Sequence, residues 1–179
     1  DPWQPLRRCP PVAAMPAATP AAEIHWTADG PDRLALARRH DWSGLSGLER
    51  LWPALEERFG DQVALEAPHA RHPESLTYRE LRGRIEAAAA AFQALGVRPG
   101  EVVALFAENG PRWLQADQGL MRAGAADAVR GSGAPVEELR YILADCGAVG
   151  LVVESPALLA SLALDGDQIQ RLRFVVLLE

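Results

Sequence analysis

The residues of this chain that could do chemistry are few, and most of them fail on spacing. Gly131 and Gly133 open a run that leads into a helical pattern, as a phosphate-approaching glycine loop would. Val136, however, stands where a dinucleotide fingerprint carries its third small residue. Gly44, Ser46 and Gly47 repeat part of a nucleophile elbow, but Leu48 holds the last glycine position and no strand pattern precedes it. His25, His40, His69 and His72 include no pair at helical ligand spacing, and Cys9 and Cys146 are too few and too far apart for a metal site or a disulfide framework. All 18 basic residues are arginine, so no lysine-dependent phosphate loop or Schiff base can be built from this chain. Three residues remain as substrate-proximal candidates. Asn109 and Trp113 lie between a strand pattern and a helix pattern, where α/β folds place ligand contacts, and Arg130 ends a strand pattern facing whatever carboxylate or phosphate lies there. Each also has a plainer reading, which the residue types favour: Asn109 as a helix cap, Trp113 as a core side chain, Arg130 in an ion pair.

The elements that must position these residues become regular from Leu48. Leu48, Leu51, Trp52, Leu55 and Phe59 recur at helical spacing and Gly60 supplies a stop. Residues 63–67 read as a short strand and 69–75 as a loop carrying His69 and His72. Residues 76–96 are the clearest helix: Thr77 precedes Glu80 at capping-box spacing, Tyr78, Leu81, Ile85, Ala88, Phe92 and Leu95 form one stripe, and Gly96 fits the terminating position. The unbroken apolar run at 101–107 predicts a strand buried on both faces, and hence helices on both sides of its sheet. Pro111 suits the first position of the next helix, whose inner stripe is Trp113, Ala116, Leu120 and Met121. A strand at 125–130, a helix from Val136 with Glu137 and Glu138 in its first turn, a strand at 149–154, a helix at 156–164 and a strand at 174–178 follow. This alternation predicts an α/β fold with a mainly parallel sheet flanked by helices.

Composition bounds what such a fold can serve. With 49% hydrophobic and 23% charged residues the chain is of ordinary globular type, and a net charge of −6 with scattered arginines offers no basic face for nucleic acid. The longest apolar runs, at 87–92 and 149–153, fall far short of the roughly 20 residues that span a bilayer, so no transmembrane segment is expected. Three prolines interrupt the stretch after Arg7 and Arg8, against a signal peptide. A cytoplasmic location is the expectation, compatible with peripheral contact at a membrane. Residues 1–22, rich in Pro and Ala and preceding or spanning Met15, read as a disordered or spurious leader. Residues 23–46 read as an arm anchored by Trp26 and Trp42, and 47–179 as an incomplete domain that stops on a buried strand.

Order and spacing over about 100 residues carry the one specific signal, in LTYRELRGRIEAAAAAFQALGVRPGEVVALFAENGPRW and GLMRAGAADAVRGSGAPVEELRYILADCGAVGLVV. The run resembles the N-terminal part of the adenylate-forming acyl-activating enzymes, the AMP-binding superfamily. Its Arg130–Gly131 pair is similar to the long-chain fatty acid–CoA ligases and acyl–acyl carrier protein synthetases of cyanobacteria and plastids. For a complete enzyme the resemblance implies ATP and Mg2+, a fatty acid made into an acyl adenylate, and transfer to the pantetheine thiol of CoA or acyl carrier protein. It also implies that the phosphate loop, the adenine and ribose contacts and the mobile-domain lysine lie elsewhere, so no catalytic, cofactor or metal residue is assigned, and the chain by itself is expected to be inactive. Two other readings stand beside this one: a truncated, non-catalytic paralogue that only binds a partner, and an unrelated α/β nucleotide binder, which the defective glycine loop disfavours.

Overall fold

The protein is described by a computed structural model that covers residue 42, residues 44–70 and residues 73–179. The expectations for residues 1–22 and for most of 23–46, including those for Met15, Trp26, His25, His40 and Cys9, lie outside the described residues, as does that for His72.

A 3-10 turn at Leu48–Arg50 leads into α1 (Leu51–Phe59), where the sequence pattern suggests one continuous helix. Trp42, expected to anchor the preceding segment, lies 4.2 Å from the guanidinium of Arg58 on α1. Strand β1 (Val63–Ala67) pairs antiparallel with β2 (Glu74–Thr77) in a two-stranded sheet of its own. This corrects the expected loop at 69–75: Glu74 and Ser75 are strand, and Leu76 and Thr77 join them instead of opening the helix. The physical reason is non-local, because β2 gains its hydrogen bonds only from β1, and Leu76 turns inward beside Leu81 and Ile85.

Helix α2 (Tyr78–Ala94) then starts as its spacing dictates. Thr77 accepts from the Glu80 amide at 3.3 Å while the Glu80 carboxylate accepts from the Thr77 amide at 2.9 Å, a complete capping box. The helix ends at Gly96, whose φ of 89° lets Val97 N–H reach Phe92 O and Gly96 N–H reach Gln93 O, both at 3.0 Å. The same closure recurs at Gly124 after α3 (Pro111–Arg122), with Ala125 N–H donating to Leu120 O.

The main sheet holds β3 (Val102–Phe106), β4 (Ala126–Arg130), β5 (Gly150–Val153) and β6 (Val175–Leu177), all parallel, in the order β4-β3-β5-β6. Alternate residues of the buried strands face opposite layers. Val103, Leu105 and Val152 meet Phe92 of α2 and Ala116 and Leu120 of α3, whereas Ala104, Phe106, Leu151 and Val153 meet Leu139 and Leu143 of α4 (Val136–Asp145) and Leu162 just beyond α5 (Pro156–Ser161). Helices therefore cover both faces, as the unbroken apolar run of β3 requires. Two close approaches have no room for a side chain: a Cβ on Gly119 would sit 2.7 Å from Ala88 Cβ of α2, and one on Gly150 would sit 2.2 Å from the ring of Phe174. The expected helix at 156–164 is shorter than its apolar pattern, and a further helix, α6 (Gly166–Arg171), follows it, opened by a capping box between Asp165 and Gln168.

Candidate functional site

Strands β3, β5 and β6 end level with one another, because the ladder continues one residue past each. Ala107 N–H donates to Arg130 O at 3.2 Å, Glu154 N–H to Phe106 O at 2.9 Å, and Leu178 N–H to Val153 O at 3.0 Å. Beyond these carboxyl ends the connections part: the chain leaves β3 toward β4 on one side and leaves β5 toward β6 on the other. Open α/β sheets bind ligands in the crevice that such a reversal creates. A cleft of about 600 Å³ lies at this place, floored by Ala107–Pro111 and Glu154, with Trp113 and Arg112 on the α3 side, and Glu74 and Arg84 on the far wall.

Its polar groups are largely committed to one another. Arg84 pairs with Glu74 at 2.8 Å, and the Arg112 guanidinium donates to the Leu178 carbonyl. Glu108 turns toward the β4–α4 loop, where its Oε1 accepts from the Ser132 hydroxyl at 3.2 Å and from the Gly133 amide at 3.1 Å. The glycine run that sequence spacing offers as a phosphate approach is thus occupied by a carboxylate of the chain itself. A Cβ on Gly131 would sit 2.9 Å from Glu108 Oε1, so a side chain there would push that carboxylate aside. With no lysine in the sequence and these donors engaged, the described residues do not fit a nucleotide triphosphate cradle, and no group of three or more His, Cys, Asp or Glu side chains that could hold a metal occurs among them.

The structure brings two of the three sequence candidates together. Asn109 and Trp113 both line the cleft. Asn109 does not cap α3: the capping position belongs to Gly110, with no side-chain hydrogen bond, and Pro111 fills the first turn where a donor would be orphaned. Trp113 packs against the core below the cleft, as its place in the apolar stripe suggests, and its indole N–H is buried without an acceptor. Arg130 is not part of the cleft. Its guanidinium turns to Glu138 at 2.7 Å in an exposed pair on α4, which holds the arginine firmly protonated. Glu108 and Glu154 were missed by reading motifs, although each is the first charged residue after a buried strand run.

A second polar feature lies further along α3. Trp52 Nε1 donates to Gln118 Oε1 at 2.8 Å and Gln118 Nε2 donates to Asp117 Oδ2 at 2.6 Å, while Oδ2 of Asp127 on β4 is buried without a hydrogen-bond partner. Burial, and then Asp117 itself, push the Asp127 carboxyl up to about 7.

Comparison with known proteins decides the family. The family model described as AMP-binding enzyme matches residues 53–179. The chain belongs to the AMP-binding enzymes. Among its curated relatives in Arabidopsis thaliana, a chloroplastic long-chain-fatty-acid–[acyl-carrier-protein] ligase is 38% identical over 144 residues, covering 80% of this chain and 19% of the relative. A probable chloroplastic acyl-activating enzyme is 36% identical over 152 residues, 82% of this chain and 21% of the relative. This AMP-binding chain thus spans about a fifth of the length of those relatives. Of solved structures, the N-terminal subdomain of Klebsiella oxytoca NpsA is similar at 28% identity with a TM-score of 0.57, covering 63% of this chain and 28% of that one. The N-terminal domain of FACL13 from Mycobacterium tuberculosis shares the fold at a TM-score of 0.67 and 16% identity, covering 74% of this chain and 34% of that one. Among the described residues no helix is long and apolar enough to cross a membrane.

Proposed function

We propose that this AMP-binding chain supplies the opening part of an ATP-dependent long-chain fatty acyl ligase, one that makes an acyl adenylate and then passes the acyl group to a pantetheine thiol, on acyl carrier protein in preference to CoA. The observation that carries the reading is the 38% identity to a plant fatty acyl–acyl carrier protein ligase across 80% of the chain. In that reading residues 47–179 are part of the AMP-binding domain, with 1–22 a leader and 23–46 an arm. ATP with Mg2+ is handled by residues outside this chain, and the enzyme works in the cytoplasm with at most peripheral membrane contact. Asn109 and Trp113 face the cleft at the strand ends as substrate-proximal residues, and Glu108 fixes the cleft's wall by holding the β4–α4 loop.

The test exchanges residues 53–179 for the matching region of the plant ligase. The chimera is expected to keep fatty-acid-dependent pyrophosphate exchange and to load acyl carrier protein. Activation of aryl or amino acids in place of fatty acids would overturn the reading. The isolated 179-residue chain is expected to give fatty-acid-dependent exchange no higher than a blank, since its candidate phosphate donors are spent on Glu108; exchange above the blank would refute that assignment.

A further inference from the structure

We propose that α1, the β1–β2 pair and the turn at 60–62 that joins them form a separately opening flap on α2, latched by charge, whose release opens the far wall of the cleft. The flap's sheet is its own: β1 and β2 pair with each other and with no strand of the main sheet among the described residues. Its backbone is tied to the rest at the start of α2, where Tyr78 N–H donates to Gln62 O and Arg79 N–H to Gly60 O, both at 3.0 Å. Its apolar attachment is small. Leu76 is the one buried side chain that α1, β1 and β2 contribute, and it meets Leu81 and Ile85 with Trp52 and Leu65 partly buried beside them.

Side-chain charge supplies the remaining hold. Each of the three arginines of α2 reaches a carboxylate of the flap: Arg79 pairs with Glu56 at 2.7 Å and with Asp61 at 3.2 Å, Arg82 pairs with the other oxygen of Glu56, and Arg84 pairs with Glu74 at 2.8 Å. Trp52 Nε1 adds a neutral bond to Gln118 of α3. Ion pairs this exposed are weak and yield to salt, because mobile ions screen charges over about 10 Å at 0.1 M.

The latch and the cleft share residues. Glu74 and Arg84 both line the cleft's far wall, so the pair that holds β2 to α2 also closes that wall, and its release leaves Arg84 as a free cation at the cleft. A nine-residue helix and a two-stranded sheet are each marginal in water without a partner, so a detached flap loses its internal hydrogen bonds.

Backbone hydrogen exchange of the 179-residue chain at fixed pH, in low salt and in about 0.5 M NaCl, therefore reads the latch. At a factor of about two for each of the four pairs, protection of α1, β1 and β2 is expected to fall about ten-fold in the higher salt while that of β3 and β5 holds. Glu56→Gln removes two of the pairs, so it should lower protection of the flap about four-fold in low salt and shrink the salt effect. Flap protection that ignores salt, a fall shared equally by β3 and β5, or a folded Glu56→Gln chain with an undiminished salt effect would overturn the latch. A fall in α1 with none in β2 would overturn its coupling to the cleft. Should Glu56→Gln not fold, the salt comparison on the unsubstituted chain decides by itself.

Discussion

Adding one methyl group at each of two helical glycines should change stability unequally, and the difference isolates a packing cost. Gly83 on α2 is exposed, and a Cβ there would meet nothing within 4 Å. Gly119 on α3 is buried, and its Cβ would come within 2.7 Å of Ala88 Cβ and 3.3 Å of the Ala88 and Ala89 backbone. Both changes to Ala gain the same helix propensity, about 1 kcal/mol, by removing unfolded-state freedom. At Gly83 that gain is the whole effect, so Gly83→Ala should stabilise by about 0.5–1 kcal/mol. At Gly119 the obstruction is a Cβ fixed to another helix's backbone, which cannot rotate aside, and α2 must move from α3. Overpacking of this kind costs about 1–3 kcal/mol, which matches or exceeds the propensity gain. Because the propensity gain is common, the two variants should differ by about 1–3 kcal/mol, with Gly119→Ala the less stable. Urea denaturation, comparing midpoints at constant slope, measures this. Equal midpoints for the two variants would show that α2 and α3 do not approach as closely as Gly119 and Ala88 require.

Thr77→Ala removes one half of the capping box of α2 and should cost about 1 kcal/mol in the same denaturation assay; a loss within error of zero would mean that water caps the helix equally well. Stability should also fall with rising pH between about 4 and 7. Asp127 titrates at 3.8 unperturbed and about 7 when folded, so the folded chain holds a proton that the unfolded chain has released, and the stabilisation present at low pH is lost as pH climbs through the folded value. The full shift corresponds to about 4 kcal/mol, and solvent screening of this half-exposed group reduces that to about 1–2 kcal/mol. Asp127→Asn should flatten this part of the profile, and a profile that keeps its slope in the variant would assign the dependence to another group.

The sheet and its helices were legible because their signals are local. The capping box at Thr77 and Glu80, the glycine stop at Gly96 and the continuous apolar run of β3 each carry their physics within a few residues. Strand β2 was not legible: four residues with one buried side chain become a strand only against β1, whose paired residues lie 7 to 14 positions upstream. Helix α6 was legible and overlooked, since Asp165 and Gln168 have capping-box spacing. Of the cleft, Asn109 and Trp113 could be found from their junction, but Arg130 could not be separated from it by sequence, because its partner Glu138 lies eight positions on, across a loop, in the first turn of α4. Glu108 and Glu154 illustrate a usable rule: in an alternating chain, the polar residue just past a buried strand run marks the carboxyl edge where ligands sit.

The central position of β3 also bears on the order in which the sheet can assemble. Its two neighbours are unequally distant along the chain: Val103 pairs with Asp127, 24 positions on, and with Gly150, 47 positions on. Closing a loop twice as long costs only about 0.6 kcal/mol more, so chain entropy hardly distinguishes the two. Burial does, since every residue of β5 is buried and β4 has none that is. The apolar gain from the distant strand, at about 0.8 kcal/mol for each methylene buried, exceeds that entropic handicap with a single side chain. The collapse that makes this sheet can therefore begin by skipping the nearer strand, with β4 zipping on afterward as a late, separable edge.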